Sequence, residues 1–254
     1  MKKYFILIVT LLMPIFNFAQ LSNIKYADGQ QSLSGFGTQP QKTLKDKPGI
    51  LILPAWKGID AHAKDSAERL AKLGYYTFIA DIYGEGNYPK NNAEAGEKAG
   101  YYKKNRDLYQ QRIRLALAQL IKLGADPDKI VVMGYCFGGT GALEAARANF
   151  PVRGVVSFHG GLSNDSSKPT QNIIPKILVC HGADDPYESQ EEVLGFQKEM
   201  RDAKADWQMV YYANAVHSFT DKEAGNDNSK GAAYNEKADK RSWEQLLMFL
   251  KEVL

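Results

Sequence analysis

VVMGYCFGGTGAL, residues 131–143, is the stretch on which the reading of this chain turns. An apolar run breaks at Gly134, a single cysteine follows at 136, and Gly138 and Gly139 open a run of small residues that reads as the start of a helix. A strand that turns sharply into a helix brings backbone segments so close that neighbouring side chains must be almost absent, which glycine allows. Three readings of Cys136 follow: a buried packing residue, half of a disulfide, or a nucleophile held above a sheet.

Working outward, PGILILPAWKG (48–58) and KIVVMGY (129–135) are continuous apolar runs, the mark of strands buried on both faces. YYTFIAD, VRGVVSFHG, KILVCHG and DWQMVYYAN read as further strands, alternating with helical segments. One helix is expected over DAHAKDSAERLAKLGY, capped by Asp60 and stopped at Gly74, and a long one over DLYQQRIRLALAQLIKLG. The stretch IYGEGNYPKNNAEAGEK between them reads as a polar loop, and NIKYADGQQSLSGFGTQP as a hairpin at the domain edge. Strands alternating with helices imply βαβ units and a mainly parallel sheet, an α/β fold. No linker divides residues 20–254, so one domain is expected. In such a sheet, ligands bind beyond the carboxyl ends of the strands.

The first nineteen residues stand apart. MKKYFILIVTLLMPIFNFA has a basic start, an apolar stretch too short to span a bilayer, and a small residue at 19, the order of a secretory signal peptide. The expected product is an exported chain, periplasmic or secreted, with no membrane span in its mature part. Removing residues 1–19 lowers the formal charge from +3 to +1, so the basicity of the full sequence gives no reason to expect nucleic acid as a partner.

The strand ends carry the chemistry. Gly134-Tyr135-Cys136-Phe137-Gly138 has the form of a nucleophile elbow, and the helix after Cys136 points its positive end at the sulfur, which favours a thiolate. An acid and a histidine should follow in that order. HGADDPYE offers Asp184 and Asp185, and NAVHSFTD offers His217. Asp185 is preferred, because the fourth residue of a loop starting at Gly182 returns over the site, whereas Asp184 faces the turn. His62 reads as a surface residue at a helix start, His181 as a packed strand-end residue, and His159 as a possible pocket-lining residue. These histidines and aspartates lack familiar metal-ligand spacing, so no metal is expected. Cys180 ends a different strand, with another strand between it and Cys136. Adjacent strands are already ~4.8 Å apart and bridged Cα atoms seldom exceed ~7 Å, so a disulfide is not expected.

GYCFGG, HGADDP and VHSFT together resemble the dienelactone hydrolase family of α/β-hydrolases, and the likeness continues through YADGQQSLSGF, KPGILILPAWKGID, LAKLGYYTFIADIYG and AAYNEKADKRSWEQLLMFL. The resemblance implies the α/β-hydrolase fold: a mainly parallel sheet with helices on both faces and an N-terminal antiparallel hairpin. It implies a Cys136–His217–Asp185 triad, oxyanion donors at the backbone amides of Trp56 and Phe137, no cofactor, and a small-molecule ester or lactone substrate cleaved through an acyl-thioenzyme. The sequence departs from the family's pattern twice. The family's loop glutamate is Ala55 here, and the arginine four residues after the histidine, which grips a substrate carboxylate, is Asp221. Arg112 and Arg106 are the remaining candidate anchors. With an acid at 221, neutral esters or lactones are the expected substrates. Two other functions would fit the same chain: a non-catalytic binding protein with the hydrolase fold, and a thiol redox protein built on Cys136. An intact triad argues against the first, and the lack of a C-x-x-C motif against the second.

Overall fold

The computed structural model describes residues 20–254 except Ser166, Lys168 and Thr170; the expected signal peptide lies outside the described residues. Eight strands form one sheet: β1 (Ser22–Asp28), β2 (Gln31–Thr38), β3 (Gly49–Leu53), β4 (Tyr76–Ile79), β5 (Ile130–Tyr135), β6 (Gly154–Phe158), β7 (Lys176–Gly182) and β8 (Trp207–Tyr212), in the order β1-β2-β4-β3-β5-β6-β7-β8. β1 and β2 pair antiparallel, as does β2 with β4, and every pair from β4 to β8 is parallel. This is the α/β-hydrolase architecture with its leading hairpin.

Period-two alternation sends the residues of each strand to opposite faces. Leu51, Leu53, Val132, Val155 and Val179 pack into one buried cluster with residues of α2 (Asn92–Lys104), α3 (Arg106–Leu123), α4 (Phe137–Arg147) and α5 (Gln190–Asp202). Ile50, Ile52, Val131, Met133, Val156 and Leu178 pack into the other, with α1 (Ala61–Lys72) and α6 (Glu236–Val253). Because both faces are covered, β3, β5 and β6 are buried at every position. That is why they read as unbroken apolar runs.

Helix ends follow their local chemistry. The Asp60 carboxylate accepts the Ala63 amide at the start of α1, and Gly74 closes its end at φ +104. Ser189 and Glu192 form a reciprocal capping box on α5. One expectation fails here: the polar loop ends in a helix, since α2 covers residues 92–104. Only Ala95, Ala99 and Tyr102 of α2 are buried, and Gly96 and Gly100 interrupt it, so its apolar stripe is too thin to show as periodicity. The signal that marks its start is the cap: Asn91 accepts the Glu94 amide, and Glu94 accepts the Lys90 amide in return. Among the described residues, no helix is long and apolar enough to cross a membrane.

Candidate active site

At the end of β5 the chain leaves the sheet through Cys136, whose φ of 54° and ψ of −114° are unusual for a residue with a side chain. The turn is this tight because its neighbours are glycines. A Cβ on Gly134 would lie 2.1 Å from the Gly138 carbonyl oxygen, and one on Gly138 would lie 2.0 Å from the Leu53 oxygen. The Cys136 amide donates to Phe158 O at 3.0 Å, and its carbonyl accepts the Thr140 amide at 3.1 Å, which locks the residue between β6 and the first turn of α4. The sulfur is thus lifted off the sheet at a helix N-terminus.

His217 and Asp185 arrive from successive loops. Nε2 of His217 lies 3.0 Å from Cys136 Sγ, and Nδ1 lies 2.8 Å from Asp185 Oδ2. The Asp185 side chain is completely buried and its Oδ1 accepts the Tyr187 amide at 2.9 Å, which aims the other oxygen at the ring. Asp184 is exposed, and its amide is tied to Ala215 O at 3.0 Å. The His217 loop is clamped by a bridge: its amide donates to Gly231 O and its carbonyl accepts the Ala233 amide.

The electrostatics follow from this line. Burial alone would push the Cys136 thiol up, but the His217 hydrogen bond, the charges of His217 and Lys103, and the Phe137 amide together bring it below its ordinary value. Burial likewise opposes charge on His217, and the bonds to Asp185 and Cys136 overcome it, raising the imidazole to about 10. Both shifts act in the direction of a thiolate–imidazolium pair.

Phe137 carries the wall beside the sulfur. Its ring stacks on Tyr109 at 4.5 Å and on Tyr83 at 5.8 Å, and the Tyr109 hydroxyl donates to the Phe137 carbonyl at 2.9 Å. The Tyr83 hydroxyl donates to Trp56 O at 2.6 Å, and the Ala55 carbonyl accepts the Gly58 amide at 3.0 Å. A trans peptide directs its N–H opposite to its C=O, so this turn leaves the Trp56 N–H facing outward from it. Position 55, an alanine, offers the thiol no carboxylate.

The other expected contacts are placed differently. His159 is 2% exposed: its ring sits edge-on to His217 at 5.3 Å and its Nε2 lies 2.8 Å from Thr220 Oγ1, so it packs against the His217 ring instead of lining an open pocket. Burial holds it well below the usual histidine value, hence neutral. His62 is half-buried, not a free surface residue, and completes that chain with Nε2 3.1 Å from Thr220 Oγ1. Arg106 is taken up by Glu144 and by Ser163 O in an ion-pair network that also holds Arg147 and Glu199. Arg112 pairs with Asp28 at 3.1 Å and lines a cleft of about 360 Å³ with Tyr83 and Tyr102, behind the aromatic wall. Asp221 caps a short 3₁₀ turn, accepting the Glu223 amide. Each of these three charges has a structural partner at hand. After His217, a further charge that lowers the Cys136 thiol is Lys103, at the end of the unforeseen α2. Tyr187, whose ring meets His217 edge-on at 5.2 Å, was missed as well. Both cysteines are free, and Cys180 is buried, as expected.

The sheet order, with its leading antiparallel hairpin and the tight strand-to-helix turn after β5, defines an α/β-hydrolase fold. The model of the dienelactone hydrolase family matches residues 33–254, and the chain belongs to that family. A solved structure described as a dienelactone hydrolase-like promiscuous phosphotriesterase from metagenomic libraries is 34% identical, with a TM-score of 0.86 over 92% of this chain and 98% of its own. A Bradyrhizobium protein named as a probable 2-oxo-3-(5-oxofuran-2-ylidene)propanoate lactonase is 28% identical over 215 residues, 80% of this chain and 83% of its own. An uncharacterized Caenorhabditis elegans protein is 38% identical over 129 residues, half of this chain and 82% of its own.

Proposed function

We propose that the protein is an exported hydrolase of carboxylic esters and lactones that works through a Cys136 acyl-thioenzyme. The observation that carries this reading is the continuous line from Cys136 Sγ through His217 to the buried Asp185, on a turn that no packing role would require. The thiolate attacks the carbonyl carbon and a C–S bond forms. The Phe137 and Trp56 amides receive the oxyanion, a contribution of ~3 kcal/mol per donor in comparable sites. The tetrahedral adduct expels the alkoxide, which takes its proton from the His217 imidazolium. Neutral His217 then removes a proton from water, the hydroxide attacks the thioester, and Cys136 leaves as thiolate with the acid released. Asp185 holds the His217 tautomer throughout. No step calls for a cofactor.

The substrate is expected to be neutral, since Arg106 and Arg112 are engaged elsewhere and position 221 is acidic. The phosphotriesterase relative suggests a second arm, attack of the same thiolate on an activated phosphotriester. The test is hydrolysis of p-nitrophenyl butyrate, γ-lactones and paraoxon by the purified chain lacking residues 1–19, alongside Cys136→Ala. Turnover lost in the variant supports the reading; a folded wild type inert to the esters and lactones overturns it. Export is tested separately, by fractionating cells that express the full chain and sequencing the N-terminus of the product. An intact Met1 in the cytosolic fraction would contradict it.

A further inference from the structure

Beside the thiol lies a polar niche that the mechanism above does not use. Gly161, in the segment after β6, is buried, and a Cβ on it would point between Thr140 Oγ1, Lys103 Nζ and Glu188 Oε1, at 3.0, 3.3 and 3.4 Å. Three elements therefore aim a polar group at one place: α4 a hydroxyl, the last turn of α2 an ammonium, and the turn before α5 a carboxyl. A side chain at 161 would crowd all three, so glycine lets these groups converge. Thr140 is 3% exposed, and its hydroxyl has no hydrogen-bond partner among the described residues. A buried hydroxyl in that state is stabilised by any group that pairs with it. Glu188 is half committed, since its Oε2 accepts the Leu162 amide at 3.0 Å, which fixes the carboxyl with Oε1 turned to the niche. The niche adjoins the elbow: Thr140 stands one helical turn past Cys136, and its amide donates to the Cys136 carbonyl at 3.1 Å.

Resting on the hydrolase reading, we propose that this niche is its specificity subsite and takes a neutral hydroxyl carried next to the scissile carbonyl, so that hydroxylated lactones and esters are preferred over plain or acidic ones. The donor and acceptor balance selects for this group. Lys103 only donates, an ionised Glu188 only accepts, and Thr140 does either. A hydroxyl can satisfy all three. A carboxylate would face Glu188, an amine would face Lys103, and an alkyl group would leave Thr140 unpaired. Burial, followed by the charges of Glu192 and Asp185, raises Glu188 to about 7, against the Leu162 amide and Lys103, so the acceptor form dominates at pH 8.

The experiment compares γ-butyrolactone with α-hydroxy-γ-butyrolactone at pH 8 in wild type, Thr140→Val, Glu188→Gln and Gly161→Ala, each checked for folding by its melting curve. The expected wild-type ratio of kcat/KM favours the hydroxylated lactone about tenfold or more, mainly through KM. It should fall to within about twofold of unity in Thr140→Val and in Gly161→Ala, whose methyl enters the niche, with Glu188→Gln intermediate. A wild type that cleaves both lactones equally, or variants that slow both in parallel, would overturn the subsite and leave the hydrolase reading standing. A folded wild type that cleaves neither lactone nor a chromogenic ester would overturn both.

Discussion

Cys136 follows β5 and Cys180 lies within β7, two parallel strands with only β6 between them, and their surroundings make them different groups. Cys180 stays in the sheet: it pairs with Val210 and Phe158 across β8 and β6, is fully buried, and meets no base, only the Tyr212 hydroxyl at 3.7 Å. Burial pushes its thiol up to about 12. Cys136 leaves the sheet through a left-handed turn, sits at a helix N-terminus and meets His217 at 3.0 Å, and its thiol falls below the ordinary value although it too is largely enclosed. Burial acts on both sulfurs in the same direction, so the difference comes from the turn and from the imidazole that the turn lets the sulfur reach.

The hardest break is substitution of the cysteines themselves. Cys136→Ala should lose ester turnover by about 10⁴-fold or more with its melting temperature nearly kept. Cys180→Ala should keep turnover and lose about 1 kcal/mol of stability, the cost of deleting one small buried group. Steady-state assays and denaturant titrations of both variants make the check, and equal activity losses would erase the contrast. The acids come next. Asp185→Asn should lower kcat by about 10²–10⁴-fold through the wrong His217 tautomer, while Asp184→Asn should stay within about twofold. The reverse result would place the functional acid one residue earlier.

The turn can be tested apart from the sulfur. Gly138→Ala drives a Cβ to 2.0 Å from a backbone oxygen, so it should cost more than ~3 kcal/mol and misplace the thiol. A stable, active variant would show that the crowding does not set the elbow. Ionisation gives a finer comparison. Since the folded pKa of Cys136 is lowered and that of His217 raised, the ion pair forms once pH rises above the former and loses the imidazolium proton near pH 10. Iodoacetamide should therefore reach half-maximal rate with Cys136 below the ordinary thiol value, while Cys180 stays inert until far more alkaline pH; kcat/KM should fall on the acid side and again towards pH 10. The smallest effect concerns Lys103→Met, which removes one of the weaker influences on the thiolate. Its alkylation midpoint should move up by less than about one pH unit.

Much of this was legible because it depends on local pattern. Buried parallel strands must be apolar at every position, and an elbow must be lined by glycine, so β3, β5 and residues 134–139 could be read directly. That Cys136, Asp185 and His217 stand together followed from strand order, and the preference for Asp185 over Asp184 as the partner of His217 from the length of the loop after Gly182. Other features depend on which of several surface-like charges meets which. Arg106 and Arg112 read as anchors only because Glu144 and Asp28, their partners, are 38 and 84 residues away in sequence. Lys103 and Glu188 look like ordinary solvated charges in YYKKN and DPYES, and only the packing of α2 and the α5 turn against Gly161 brings them together. The hidden α2 had the same cause, since a helix that buries three residues leaves little trace in hydrophobic spacing.

The central claim is that Cys136, and not Cys180 or a hydroxyl, carries the acyl group. Acid quenching of the enzyme within milliseconds of mixing with excess p-nitrophenyl butyrate, followed by peptide mass spectrometry, tests it directly. The account predicts a butyryl mass increment on the peptide containing Cys136, absent from the Cys180 peptide and from Cys136→Ala. Full turnover with the increment on another residue, or with none on Cys136 at any quench time while the p-nitrophenol burst is present, would contradict it.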